Sequence, residues 1–402
     1  MLLAAQGLCH EPASPVSGDD AYAAICRMGL LQIDTIHVVA RSPYFVLWSR
    51  LGDYDQDLLD HLLASQRLFE YWAHAACFIP IEQFPLHRRL IVDRRRHPSI
   101  YYWLKANEEA VNRVSQFVLE NRVARSSDFE RTDGAKGNWW NWKEEKIALE
   151  SLHTAGELMI LERRRFQRIY AHRTTVLPHW SDNALPDSSD VIPALTAIAV
   201  RCLGVTMERW IADYYRFKKS ETASAIKRLL ECGEVVEASI EGLTGRAYLH
   251  RDHLGLAQQV LDGSVTAFRT TLLSPFDPIV WDRSRGRELF GFDYTIECYT
   301  KEAKRIYGYF TLPILYRDRL VGRLDAKAHR VEKRFEVKAL HFEAGFLPHE
   351  DAIDAIGKAI RECAIWHKTP KVEIVSCSIR GLAAKIEKAA RKRRSSSRGG
   401  TP

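Results

Sequence analysis

Long apolar runs and paired cysteines are both missing from this 402-residue chain. A membrane-crossing helix needs about 20 consecutive apolar residues, and no stretch approaches that. The eight cysteines (Cys9, Cys26, Cys77, Cys202, Cys232, Cys298, Cys363 and Cys377) lie scattered, with no C-x-x-C pair. That excludes a zinc ribbon or a disulfide framework and fits reduced, mostly buried thiols in a cytoplasmic protein. Metal-ligand spacings, a glycine-rich phosphate loop and the nicotinamide and flavin fingerprints are absent too, so neither metal nor cofactor is expected. The opening residues, Met1 to Gln6, are apolar but short, lack a basic leader and run into Gly7 and His10. They do not make a secretory signal.

What the chain does have is positive charge, unevenly placed. The net charge is +7, yet from Lys385 onward seven basic residues face Glu387 alone, so the body is close to neutral. Within the body the basic residues cluster: Arg88-Arg89, Arg94-Arg95-Arg96-His97, Arg163-Arg164-Arg165 with Arg168, Lys218-Lys219, and Lys301 with Lys304-Arg305. Clusters on a neutral body suit contact with a shaped polyanion, whereas solvated helix faces are the simpler explanation for any one of them.

Three segments share one pattern. Ala21-Tyr22-x-x-Ile25-x-x-x-Gly29-Leu30-Leu31 aligns with Ala148-Leu149-x-x-Leu152-x-x-x-Gly156-Glu157-Leu158 and with Ala225-Ile226-x-x-Leu229-x-x-x-Gly233-Glu234-Val235. Each has helical apolar spacing, a glycine where the helix must end, then a strand. In the second and third copies a basic or glycine-containing turn and another strand follow, over 158–170 and 235–250. Helix, glycine, strand, turn, strand is the closing half of a winged helix. The third copy also shows a preceding helix, 207–217, with Thr206 as its N-cap. The winged helix is mostly a nucleic-acid module, and Arg163, Arg164 and Arg165 stand at the tip of the second wing, where they would reach phosphates.

Between the copies, 58–68 and 107–123 read as amphipathic helices, and Ser126-Ser127-Asp128-Phe129 as the start of another. Trp139-Trp140-Asn141-Trp142 would cement a helix or stack on bases. After Leu272 the texture changes to short strands at 294–299, 307–313, 315–316, 320–326 and 335–342, with Arg317-Asp318-Arg319 as a turn. A helix over 350–367 and a strand near 372–376 follow. The expected fold is α+β: three tandem winged helices and a mostly antiparallel, barrel-like β-domain. Its divisions fall at 1–125, 126–185, 190–265 and 268–384, with a disordered basic tail over 385–402.

One stretch stands apart. From Leu31 to Asp34 apolar and polar residues alternate, the signature of a half-buried strand. Residues two apart share a face, so Gln32 and Asp34 would point one way while Leu31 and Ile33 enter the core. A carboxylate beside a carboxamide can hold one water between them. In Glu70-Tyr71-Trp72-Ala73-His74 the alternate residues would likewise share a face. Two readings fit Glu70, Trp72 and His74: a polar wall of the site, or a buried His74 bonded to Glu70 that props it.

With these residues in view, the chain resembles the AlkZ/YcaQ family of bacterial DNA glycosylases. The matching stretches are Leu31-Gln32-Ile33-Asp34-Thr35-Ile36, Glu70-Tyr71-Trp72-x-His74-Ala75, Trp140-x-Trp142-Lys143, Phe166-Gln167-Arg168-Ile169-Tyr170 and Leu273-Ser274-Pro275-Phe276-Asp277-Pro278. The family carries Gln-apolar-Gln in one branch and Gln-apolar-Asp in the other; Gln32-Ile33-Asp34 is similar to the YcaQ branch. This chain begins only a few residues before Gln6-Gly7-Leu8, where family members carry a longer opening helix.

The resemblance implies excision of N7-alkylated purines and unhooking of interstrand crosslinks in double-stranded DNA, by a monomer in the bacterial cytoplasm and on the nucleoid. Its catalytic pair is Gln32 and Asp34, with Arg41, Arg163, Arg164, Arg165, Arg168, Lys218 and Lys219 toward DNA. The chemistry agrees. An N7-alkylguanine is already cationic, so its glycosidic bond breaks without a general acid, leaving an oxocarbenium-like sugar to stabilise and a water to deliver. Asp34 supplies the charge and accepts the proton, and Gln32 orients the water without acting as a base. The motif holds no lysine, which favours hydrolysis without a Schiff base or strand cleavage. The competing reading is a non-catalytic winged-helix regulator in which Gln32 and Asp34 are surface residues.

Overall fold

Each of the three patterned glycines takes a left-handed φ: +68° at Gly29, +75° at Gly156 and +69° at Gly233. A side chain is strained there, so the residue that stops each helix and turns the chain into a strand is set by backbone sterics. The computed structural model describes residues 1–12, 14–95, 97–129 and 144–392. It divides into two units.

The first unit comprises Ser17–Ile33 and Asp55–Leu254. It contains three small sheets of one topology. β1 (Leu31–Gln32), β2 (Leu68–Trp72) and β3 (Ala76–Pro80) run in the order β1-β3-β2. β4 (Val123–Ala124), β5 (Leu158–Arg164) and β6 (Gln167–His172) repeat it as β4-β6-β5, and β7 (Val205–Met207), β8 (Val235–Ala238) and β9 (Ala247–His250) as β7-β9-β8. All pairings are antiparallel. In each case a helix precedes the first strand (Gly18–Met28, Glu108–Asn121, Ser188–Leu203), and another precedes the hairpin (Asp57–Ala64, Glu144–Thr154, Lys219–Glu231).

That topology corrects the alignment of the first copy. Gly29 closes the helix before β1, whereas Gly156 and Gly233 close the helices before the β5–β6 and β8–β9 hairpins. The counterpart in the first repeat is Gln66, which takes φ +55° between Asp57–Ala64 and β2. The same helix–stop–strand signature therefore occurs at two places in the repeat. Other boundaries shift slightly. Thr206 lies in β7, and the following helix is Glu208–Tyr214 with Met207 as N-cap. The β5–β6 strands run longer than expected, and their turn is Arg165-Phe166, both at positive φ (+50° and +69°). A two-residue hairpin turn with the right twist demands that conformation. Ser126–Asp128 is one short 3-10 turn, and the tryptophan cluster 139–142 lies outside the described residues.

The second unit gathers Met1–Val16, Asp34–Tyr54 and Gly255–Pro402, so residues 1–125 do not form one region. Its sheet is an open half-barrel of β10 (Thr270–Leu272), β11 (Thr311–Tyr316), β12 (Arg319–His329), β13 (Arg334–Phe342) and β14 (Lys371–Ile374), in chain order. Pairing is antiparallel except β13–β14, which is parallel and bridged by the helix Glu350–Trp366. The expected strand at 294–299 does not form. Those at 307–313 and 315–316 are one strand, irregular at Ile314/Leu315.

The helix Ser42–Leu51 belongs to this unit and is buried throughout. Trp48 stacks on Trp366 with centroids 6.0 Å apart. Arg50 donates to both carboxylate oxygens of Asp277 at 2.6 and 3.0 Å, and Ser42 meets Ser274 at 3.1 Å. The Ser-Pro-Phe-Asp turn at 274–277 is thus a structural pin. The basic tail is corrected in part. Leu382–Arg391 is a helix with Ile386, Ala389 and Ala390 buried. It passes so close to Gly357 that a Cβ there would stand 2.6 Å from that of Ala389. Residues 393–402 lie outside the described part.

Candidate active site and nucleic-acid interface

β1 is short because its partner and its successor both limit it. Leu31 pairs with Phe78 and Gln32 with Cys77, and the Ile33 N–H still donates to the Ala76 carbonyl at 2.8 Å. Asp34 then accepts the Ile36 N–H on its own carboxylate at 2.8 Å. Such a local turn by an Asp side chain competes with the ladder and ends it. The alternation read from the sequence holds: Leu31 and Ile33 are buried (0% and 8% exposed), while Gln32 and Asp34 are half-buried.

Two features suit this pair to chemistry. Among the described residues the Gln32 amide makes no hydrogen bond and Asp34 no ion pair. Burial pushes the Asp34 carboxyl above its usual value of 3.8, opposed only by the Ile36 amide. A half-buried carboxylate without a cation is a stronger base than a solvated one.

Within the second unit, Cys298 and Tyr299 stand close enough to feel the Asp34 charge. The Cys298 thiol is raised first by burial, and the Asp34 charge adds to it. Their loop is anchored by Glu297, whose buried carboxylate accepts the N–H groups of Ile306 (2.9 Å), Tyr307 (2.8 Å) and Gly308 (3.0 Å). The anchored loop leaves Tyr299 84% exposed. The sequence reading placed Tyr299 only at the end of an expected strand, and no motif singled it out.

Glu70 has the opposite environment. It lies on β2, 3% exposed, with Arg163 donating to both of its oxygens at 2.8 and 2.9 Å and Arg168 at 2.6 Å. Burial alone would raise its pKa, but Arg168 and Arg163 hold it down at about 2. Arg168 also bonds Glu150 at 2.5 and 2.7 Å, and Tyr170 donates to that same carboxylate at 2.9 Å. This is a closed network. It corrects two expectations: Arg163 on β5 and Arg168, its cross-strand partner on β6, turn to Glu70 instead of outward to DNA, because residues opposite each other on paired strands share a face.

His74 does not bond Glu70 either. It falls beyond the end of β2, with Nδ1 donating to the Asp213 carbonyl at 3.0 Å and Nε2 accepting from Arg216 at 3.0 Å. Half-buried Trp72 meets His97 edge to face, centroids 5.4 Å apart. Glu70, Trp72 and His74 are therefore three separate environments.

The remaining expected DNA contacts are accessible. Arg164 and Arg165 are exposed, and Arg164 pairs with Glu162 of its own strand at 2.6 Å. Lys218 and Lys219 are exposed at the start of Lys219–Glu231. Lys219 lines a pocket of about 320 Å³ with Arg209 and Arg246, which sequence spacing had not grouped. Arg41 is half-buried, as N-cap of Ser42–Leu51.

Comparison with known proteins places the chain in a family. The model of the DNA glycosylase AlkZ-like family matches residues 25–366, well over half of the chain. Among solved structures, the DNA glycosylase AlkZ of Streptomyces sahachiroi is similar, with a TM-score of 0.59 at 15% identity; the match covers 93% of this chain and 97% of that one. At that identity the likeness speaks to the fold. On the family match, the chain belongs to the AlkZ-like DNA glycosylases, hydrolases of N-glycosyl bonds whose partner is DNA.

Proposed function

We propose that this protein is a monofunctional glycosylase that releases N7-alkylated purines and unhooks interstrand crosslinks, with Asp34 as the base and Gln32 as the residue that orients the water. The observation that carries the reading is the state of Asp34: half-buried, raised in pKa, and, among the described residues, without a cation and beside an unbonded carboxamide. The alkylated base leaves with its own positive charge, so one carboxylate suffices. Asp34 faces the developing positive charge on the sugar and takes the proton of the incoming water. Gln32 supplies one acceptor and two donors to that water. With no lysine in the motif, the product is an intact abasic strand.

The three sheets of like order, each preceded by helices, support three winged helices acting on one duplex as a monomer. Arg164, Arg165, Lys218 and Lys219 are the cations offered to its phosphates, and Arg41 joins them near the site. The test is base release from a duplex carrying one N7-methylguanine and from a nitrogen-mustard crosslink. Wild type should release base from at least one, and Asp34→Asn should not, with DNA affinity retained. Borohydride should trap no covalent adduct. Binding without release from either substrate would leave a DNA-binding protein and sink the enzyme.

A further inference from the structure

The second unit holds a cavity lined by none of the residues assigned above to base release or to DNA. It measures about 780 Å³ and is bounded by the segment around Glu11, the end of Ser42–Leu51, β10, the helix Glu350–Trp366 and the end of Leu382–Arg391. Small-molecule sites run from about 300 to 1,000 Å³. Arg269 stands in the wall, 4% exposed. Its Nε–H donates to the Ser49 carbonyl at 2.8 Å and Nη1 to Glu11 at 3.4 Å, which leaves Nη2 without a hydrogen bond among the described residues. Two more polar atoms of wall residues, Nε1 of Trp48 and Oγ1 of Thr271, are buried and equally unbonded among the described residues. Buried polar groups are ordinarily satisfied, so this wall asks for a ligand that carries acceptors.

The charge around Arg269 is unbalanced in the same direction. Lys358 donates to Glu11 at 2.8 Å and lies 3.8 Å from Glu362, and Arg361 follows on the same helix. Burial pushes the Glu362 carboxyl above its usual value, toward the neutral form, against the pull of Lys358. Three cations therefore meet two carboxylates, one of which resists ionisation. Arg50 is already matched by Asp277. At the end of the last helix Arg391 and Lys392 are matched by Glu387 and Asp354, while Asp53, the remaining carboxylate of the lining, is exposed. Leu51, Ile365 and Pro370 make part of the wall apolar.

We infer that this cavity binds an aromatic phosphomonoester of nucleotide size, its phosphate on Arg269, Lys358 and Arg361 and its ring against Leu51, Ile365 and Pro370. Phosphate oxygens supply the missing negative charge and the acceptor that Nη2 of Arg269 lacks. Ring heteroatoms or hydroxyls serve Trp48 and Thr271. The inference is independent of the reading of Asp34, since the two sites share no residue. A ligand seated here would stabilise the unit by mass action.

The experiment titrates the full chain by calorimetry with four probes: deoxyguanosine monophosphate, phenyl phosphate, deoxyguanosine and inorganic phosphate. At least one phosphomonoester should bind once per chain and raise Tm, and the tighter of the two tells a nucleotide from a simpler aromatic phosphate. Deoxyguanosine and inorganic phosphate should each bind about tenfold more weakly or worse. Arg269→Gln and Arg361→Gln should each weaken the phosphomonoester about tenfold, and Ile365→Trp, which narrows the cavity, should weaken it too. Arg164→Ala and Lys219→Ala, on the cations offered to DNA, should leave it unchanged. No binding by either phosphomonoester, equal affinity for inorganic phosphate, or a loss confined to Arg164→Ala or Lys219→Ala overturns the site. If Arg269→Gln fails to fold, Arg361→Gln and the probe series decide.

Discussion

Two carboxylates of this protein, Asp34 and Glu70, occur in motifs that look alike in sequence and have opposite physical states. Glu70 is buried, bonded by Arg163 and Arg168, and held ionised down to about pH 2. Asp34 is half-buried, bonded by one backbone amide, and raised in pKa by burial. A carboxylate surrounded by arginines has no proton affinity left for catalysis and serves as a joint between strands. One left without a cation keeps its affinity and can act as a base. The sign of the pKa shift separates structural carboxylates from reacting ones, and the partner side chains set that sign.

The largest effect should come from breaking the closed network. Glu70→Ala leaves two arginines facing each other in the core and should lower folding stability by about 3–5 kcal/mol, measured by urea denaturation. Because the native pKa of Glu70 lies below its usual 4.5, its contribution is complete above that value and is lost as pH falls toward about 2. The gap between wild type and variant should therefore close over that interval; a gap that persists would mean the ion pairs are not its source.

Next is Asp34→Asn, which should reduce single-turnover base release about a hundredfold or more. It should also leave the fold intact or slightly more stable at pH 7. The native pKa is raised, so the folded state binds the proton more tightly than the unfolded one. Stability then falls as pH rises from the ordinary 3.8 through the raised value, and an uncharged side chain escapes that loss. A variant that loses stability along with activity would place Asp34 with Glu70. The wild-type rate should correspondingly fall as pH drops through the raised pKa, at a higher pH than a solvated Asp would give.

Gln32→Ala should cost about tenfold in rate, with thermal stability unchanged, since its side chain makes no hydrogen bond among the described residues. The smallest effect is at the wing. Arg164→Ala should shift stability by less than about 0.5 kcal/mol while weakening duplex binding a few-fold and flattening its salt dependence. Arg163→Ala, one residue away, should do the reverse. If the two behave alike, the inward–outward alternation of β5 is wrong.

Much of this was readable from the chain. The glycines that stop helices must adopt φ values that side chains resist, so Gly29, Gly156 and Gly233 announced three helix ends. The helix Glu350–Trp366 and the strand β13 followed from strong periodicity, and the Leu31–Asp34 alternation gave the correct burial of all four residues. Local patterns of this kind report local geometry, and there they were reliable.

The tertiary structure decided what local patterns leave open. It assigned Gly29 to the helix before β1, because the same helix-stop-strand signature serves twice in one topology. It joined Asp34–Tyr54 to the distant Ser274–Asp277 turn through Arg50, a pairing with no sequence period. It turned Arg163 and Arg168 toward Glu70, and it packed the basic Leu382–Arg391 segment as a helix against Gly357. Charge composition cannot foresee these, since a lysine- or arginine-rich stretch reads as solvated until a partner surface is specified. The sequence by itself determined where helices stop and which face of β1 is polar. Whether each carboxylate stays a base or becomes a joint depended on which arginines the fold brought to it.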